Sequence, residues 1–131
     1  MQANTPERTD GARDTVRAVN GDRMWIRLNH VKADKRELFE RFIHDILRPA
    51  VERVEPAMFR QVRFLHPTEP NEDGTYTYVF LMDPVIEGAD YGIGNLLKRA
   101  YGDAQTEEYD RMWDEALASP QSGYELIQSP W

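Results

Sequence analysis

An alternation with a period of two opens the patterned part of the chain, and it gives way almost at once to a period near 3.6. In MWIRLNHV, Met24, Ile26 and Leu28 alternate with Trp25, Arg27 and Asn29, which predicts a strand with two chemically different faces. In the following KADKRELFERFIHDILRPAVERV, apolar positions recur at Leu38, Phe39, Phe42, Ile43, Ile46, Leu47, Val51 and Val54. They form one stripe, with Lys35, Arg36, Glu40, Arg41, Asp45, Arg48 and Glu52 mostly opposite, and so predict an amphipathic helix. Asp34 is placed as its N-cap, with Glu37 three residues on completing a capping box. Pro49 inside the pattern predicts a kink near Asp45 to Arg48 or a split into two pieces, and Pro56 closes the helix.

Further along, FRQVRFLH over 59–66 reads as a second strand, with Val62 and Phe64 on one face and Gln61 and Arg63 on the other. PTEPNEDG is a turn, and TYTYVFLM over 75–82 is a strand rich in β-branched and aromatic residues, so the two strands make a hairpin. Residues 83–94 are a connection carrying three glycines. Helical patterns follow over 95–101 and 106–118, the second with Tyr109, Met112, Trp113, Ala116 and Leu117 on one stripe and Thr106 as its cap. YELIQ over 124–128 is a short last strand. Residues 1–23 are polar and read as a flexible arm, with a short extended piece over 15–19. The order is strand, helix, strand, strand, helix, strand: an α+β, ferredoxin-like βαββαβ domain over 24–131, an antiparallel sheet with its helices on one face.

Which face the helices cover decides where chemistry can sit. The set Ile26, Leu28, Val62, Phe64, Val79, Leu81, Tyr124 and Leu126 is apolar throughout and is expected to lie under the helices. The other face then carries Trp25, Arg27, Asn29, Phe59, Gln61, Arg63, Leu65, Tyr76, Tyr78, Phe80, Glu125 and Ile127. Large aromatics mixed with a few charged and amide groups imply a partner or a ligand on that face. In element order, length and this mixed face, residues 24–128 resemble the dimeric α+β barrel superfamily, whose best-known members are the antibiotic-biosynthesis-type monooxygenases. The resemblance implies two sheets packed face to face in a homodimer, with a ligand cleft in each subunit between the sheet and its helices or loops. Its members include cofactor-free oxygenases, isomerases and haem-degrading enzymes, so it carries over a fold and a dimer but no catalytic residue.

The ligand-binding candidates are Trp25, Arg27, Asn29, Arg63, Tyr76 and Tyr78. Arginines in a cleft can hold a carboxylate or phenolate, Asn and Tyr can orient a carbonyl, and the aromatics can wall a small aromatic or carbonyl-bearing ligand. In a cofactor-free oxygenation such groups would stabilise a substrate enolate. The competing expectation is a non-catalytic dimeric module, in which the aromatics pack against a second subunit and the arginines pair with carboxylates. His30 and His66 end strands expected to be parallel with one strand between, which puts both at one sheet edge, backbones ~10 Å apart. Asp83 or Glu87 as a third ligand conflicts with chain direction, so loop-anchoring histidines and no metal are expected. His44 is expected to be partly exposed on the first helix. GADYGIGNLL matches neither the phosphate-loop nor the dinucleotide pattern and reads as a hinged lid or a plain loop.

Composition narrows the classes further. The chain has 131 residues, enough for one domain with a real core, and no apolar run near the ~20 residues that span a bilayer, so no membrane association is expected. The absence of cysteine removes disulfides, thiol catalysis and cysteine-ligated metals, and with no apolar signal core a cytoplasmic location is expected. The net charge of −7 is uneven: 13 Lys+Arg against 10 Asp+Glu up to residue 66, then 3 against 13. That balance argues against nucleic acid as a partner, and the run Glu107, Glu108, Asp110, Asp114 and Glu115 reads as a solvated helix face.

Overall fold

A computed structural model describes residues 17–131. Strand β1 (Arg23–Val31) is followed by a short 3-10 turn (Ala33–Lys35) and then by α1 (Arg36–Arg41), a π-helical stretch (Phe42–Leu47) and α2 (Arg48–Val54). Then come α3 (Pro56–Gln61), β2 (Val62–Leu65), β3 (Tyr76–Met82), α4 (Ile93–Tyr101), α5 (Asp103–Ala116) and β4 (Ser122–Ile127). The strands lie in the order β2-β3-β1-β4, every neighbouring pair antiparallel. This is the ferredoxin-like α+β arrangement, with the sheet open rather than closed into a barrel.

Several local expectations give way to specific causes. No side-chain hydrogen bond caps the first helix, so the Asp34–Glu37 capping box does not form; the chain enters through a 3-10 turn closed by Lys35 N–H donating to the Lys32 carbonyl, at 2.9 Å. The expected split into two pieces takes the form of a π-helical stretch, Phe42–Leu47, between α1 and α2 just ahead of Pro49. The proline's missing N–H and its ring, which would press on the Asp45 carbonyl, are absorbed by the wider π turn just before it, where Arg48 N–H donates to the Ile43 carbonyl five residues back. Residues 59–61 are helical rather than extended, because Pro56 starts a new turn after Glu55 leaves the helix at φ −141°, ψ 69°. Thr106 lies buried inside α5 instead of capping it, its hydroxyl donating to the Gly102 carbonyl at 2.7 Å; the helix starts earlier, after Gly102 turns at φ 87°.

The expected arm over 1–23 falls outside the described residues as far as residue 16, as does the first part of the extended piece over 15–19. From Ala18 the chain is tied down: Ala18 N–H donates to the Asp83 carboxylate at 2.8 Å, and Gly21 N–H to the Gln128 carbonyl at 2.8 Å.

The main correction concerns the faces of the sheet. Register places Trp25 opposite Met82, Arg27 opposite Phe80, Asn29 opposite Tyr78 and Val31 opposite Tyr76. Val31, Tyr78, Phe80 and Met82 are buried against Phe39, Phe42, Leu97 and Ala116 from the helices, so this mixed face is the one the helices cover. Phe39 sits 5.0 Å from Tyr78 and 5.6 Å from Trp113, ring centre to ring centre, and Phe64 stacks on Tyr78 at 5.7 Å. Burying Phe39 and Phe42 alone contributes about 1.5–3 kcal/mol each. Of the set expected under the helices, only Val62 and Phe64 are there. Ile26, Leu28, Val79, Leu81, Tyr124 and Leu126 lie on the open face instead.

The polar groups of the covered face can be inside because they are paired. The Tyr78 hydroxyl donates to the Glu40 carboxylate and accepts from Arg36 Nε at 3.0 Å, and Asn29 is hydrogen-bonded at both ends of its amide.

Candidate functional site

A cleft of about 570 Å³ opens on the helix side of the sheet where β1 meets β4, within the size range of small-molecule sites. β1 supplies Trp25 and Arg27, alternate residues that a strand must point to the same side. The 83–92 connection supplies Tyr91 and Gly92, and the start of β4 supplies Gln121, Ser122 and Gly123.

Two of the lining residues, Trp25 and Tyr91, are aromatic. Trp25 and Tyr91 meet with ring centroids 5.2 Å apart at 56°, and the Arg27 guanidinium lies 4.5 Å from the Trp25 ring centroid. The Tyr91 hydroxyl accepts from Ile86 N–H at 2.9 Å, which fixes the ring, and burial pushes its phenol up from the ordinary 10.0. Asp90 anchors the next turn by accepting from Gly92 N–H at 2.9 Å and Asn95 Nδ2 at 2.8 Å, and these bonds, the backbone one foremost, hold its carboxyl below 3.8. On the β4 side Gly123 is required: a Cβ there would collide with the Ile26 carbonyl.

Two polar features stand out. Among the described residues, Arg27 has no carboxylate partner, whereas its neighbour Arg23 pairs with Glu87 at 2.6 Å and Glu125 at 3.7 Å. Trp25 Nε1 is buried with no hydrogen-bond acceptor, the one such side-chain atom among the described residues. An unsatisfied buried donor costs about 1–3 kcal/mol.

The six residues expected to bind a ligand do not converge. Trp25 and Arg27 line the cleft. Asn29 is fully buried behind it, reaching it through Gln121. Tyr76 and Tyr78 lie toward the other end of β3 beneath Arg36, whose guanidinium is 3.9 Å from the Tyr76 ring centroid. Burial, then the bond to Glu40, raises the Tyr78 phenol above its ordinary value. Arg63 is on the opposite face of the sheet, with its Nε 3.2 Å from Asp83 Oδ2, and Arg17 meets the same oxygen at 3.3 Å.

The histidines separate as well. His30 bonds Thr77 Oγ1 at 2.8 Å on the open face, while His66 and His44 edge onto Phe64 on the covered face. His30 and His66 therefore do not share a site. No three metal-ligating groups cluster among the described residues.

Sequence reasoning missed Tyr91, Gln121 and Gly123. The glycines around Tyr91 did mark that loop as a possible cover for a cleft; nothing local marks Gln121, which is 92 residues from its partner Asn29.

No family model matches the chain, and no curated protein matches it. Among solved structures it is similar to a protein of Caulobacter crescentus CB15 described as a candidate antibiotic biosynthesis monooxygenase, with 17% identity and a TM-score of 0.47 over 85% of this chain and 92% of that one. No helix among the described residues is long and apolar enough to cross a membrane.

Proposed function

We propose that the chain is a homodimeric small-molecule protein of the cofactor-free monooxygenase-like group, with its ligand site in the Trp25–Arg27 cleft. The observation that carries this reading is that two of the residues lining the cleft are a tryptophan whose buried indole N–H lacks an acceptor and an arginine that lacks a carboxylate, among the described residues. Two donors of this kind ask for an anionic or carbonyl oxygen. The aromatic walls suit a flat ring, and Arg27 would stabilise an enolate or phenolate formed from it.

The open sheet face supports the dimer. Met24, Ile26, Leu28, Val79 and Leu81 are only part-buried there, and Leu65, Tyr124 and Leu126 are 46%, 61% and 46% exposed. An apolar patch spanning all four strands is the kind of face that a second copy of this chain would cover about a two-fold axis through the sheet. The rival reading, a non-catalytic dimeric module, draws on this same face and leaves the cleft without a role.

Native mass spectrometry of gently sprayed protein, followed by denaturation, tests both halves. The expected result is a dimer carrying a small molecule that is released on denaturation, and an Arg27→Ala dimer without it. A monomer overturns the dimer; a ligand retained undiminished by Arg27→Ala overturns the cleft.

A further inference from the structure

We infer that Asn29 is a positioning residue that locks the Gln121 side chain with its carbonyl oxygen as the free end, so that the cleft selects a planar aromatic acid that also bears a free hydroxyl. This rests on the cleft being the ligand site.

Asn29 is fully buried, and one end of its amide is 3.2 Å from the Tyr78 backbone carbonyl. A carbonyl can only accept, so that end is the NH2 group and the other end is Oδ1. Oδ1 can only accept in its turn, so the Gln121 atom 2.8 Å from it is Nε2. Both amides are thereby oriented by a fixed backbone atom of β3. Gln121 Oε1 is left as an acceptor, and among the described residues nothing donates to it. Gln121 lies in the cleft lining together with Arg27.

The cleft thus offers a guanidinium for an anionic oxygen and one amide oxygen for a hydroxyl. Gly92 and Gly123 put no side chain into it, which suits a flat ring beside Trp25 and Tyr91. A ligand with an ether oxygen in place of the hydroxyl would set one acceptor against another. Replacing a made hydrogen bond by such a contact lowers affinity about tenfold or more.

Isothermal titration with hydroxynaphthoate (hydroxyl and carboxylate too far apart to bond each other), its methoxy analogue and plain naphthoate separates the possibilities. The expected order is hydroxynaphthoate about tenfold or more tighter than the methoxy acid. Gln121→Met, an exposed substitution, should erase that ratio. Asn29→Leu, which removes the oxygen that holds Gln121 Nε2, should shrink the ratio although Gln121 is intact; a loss of packing alone would weaken all three acids alike and leave the ratio standing. Equal binding of the hydroxy and methoxy acids, or a ratio that survives Gln121→Met, overturns the inference and leaves the cleft in place. Failure of all three acids to bind wild-type protein overturns the cleft as the site of an anionic aromatic ligand, and this inference with it.

Discussion

The guanidinium of Arg27 lies over the indole of Trp25, 4.5 Å from the ring centroid, at the mouth of a cleft where among the described residues no carboxylate neutralises it. Such a stack contributes only about 0.5–1 kcal/mol at a partly exposed site. Arg27→Ala should therefore lower unfolding stability by no more than about 1 kcal/mol in urea titrations. Binding of an aromatic carboxylate should fall tenfold or more, because a charge-assisted hydrogen bond worth about 1.5–3 kcal/mol is lost. A large stability loss with unchanged binding would make Arg27 a structural residue.

A charge on the open sheet face should separate the subunits. Leu81 lies in the middle of that face and is part-buried even in the single chain. Leu81→Asp should give a folded monomer by analytical ultracentrifugation, with the far-ultraviolet circular dichroism of the parent. A variant that stays dimeric would place the subunit contact elsewhere.

The order of elements was legible in the sequence because each carries a clear period: alternation in 24–31 and 75–82, and the apolar stripe from Leu38 to Val54. The face of the sheet was not. Both sides of β1 and β3 are rich in large apolar groups, and the choice turns on whether Asn29 and Tyr78 can be satisfied in the interior. Their partners, Gln121, Glu40 and Arg36, are distant in sequence, so no local pattern announces that they can. The cleft was half legible for the same reason: Trp25 and Arg27 follow from strand parity, whereas Gln121 and Gly123 reach it only through the pairing of β4 with β1.

Tyr78 predicts a pH dependence with a definite sign. Burial first, and the bond to Glu40 next, favour the neutral phenol in the folded chain and raise it above its ordinary 10.0. Folding thus holds this proton to higher pH than the unfolded chain does. The stability linked to it is present in full below about pH 10 and is lost as pH rises through the raised folded value. Tyr78→Phe should show a shallower loss of stability above that pH. It should also cost about 1–3 kcal/mol near neutrality, since Glu40 and Arg36 lose their shared partner. Some alkaline loss should remain in the variant, because burial raises Tyr91 and Tyr101 too.

Asp83 ties the chain before β1 to β2 and the end of β3 through Ala18 N–H, Arg17 and Arg63. Its side chain is nearly buried, so Asp83→Ala leaves the Ala18 amide and Arg63 without their acceptor and should destabilise by about 1–3 kcal/mol in urea or thermal unfolding. Arg63→Ala, on a part-exposed partner, should cost less. Neither should change ligand affinity, since Arg63 is on the face away from the cleft.

The indole proton of Trp25 reads ligand occupancy of the cleft. Trp25→Phe removes an N–H that has no acceptor among the described residues, so the empty protein should lose little stability or gain up to about 1 kcal/mol. The missing cross-peak also assigns the signal among the three tryptophans. Titrating 15N-labelled wild-type protein with hydroxynaphthoate should then shift the Trp25 indole signal, with the Trp113 and Trp131 indole signals staying in place. A Trp25 signal that stays fixed while other resonances move to saturation would put the ligand elsewhere and contradict the account.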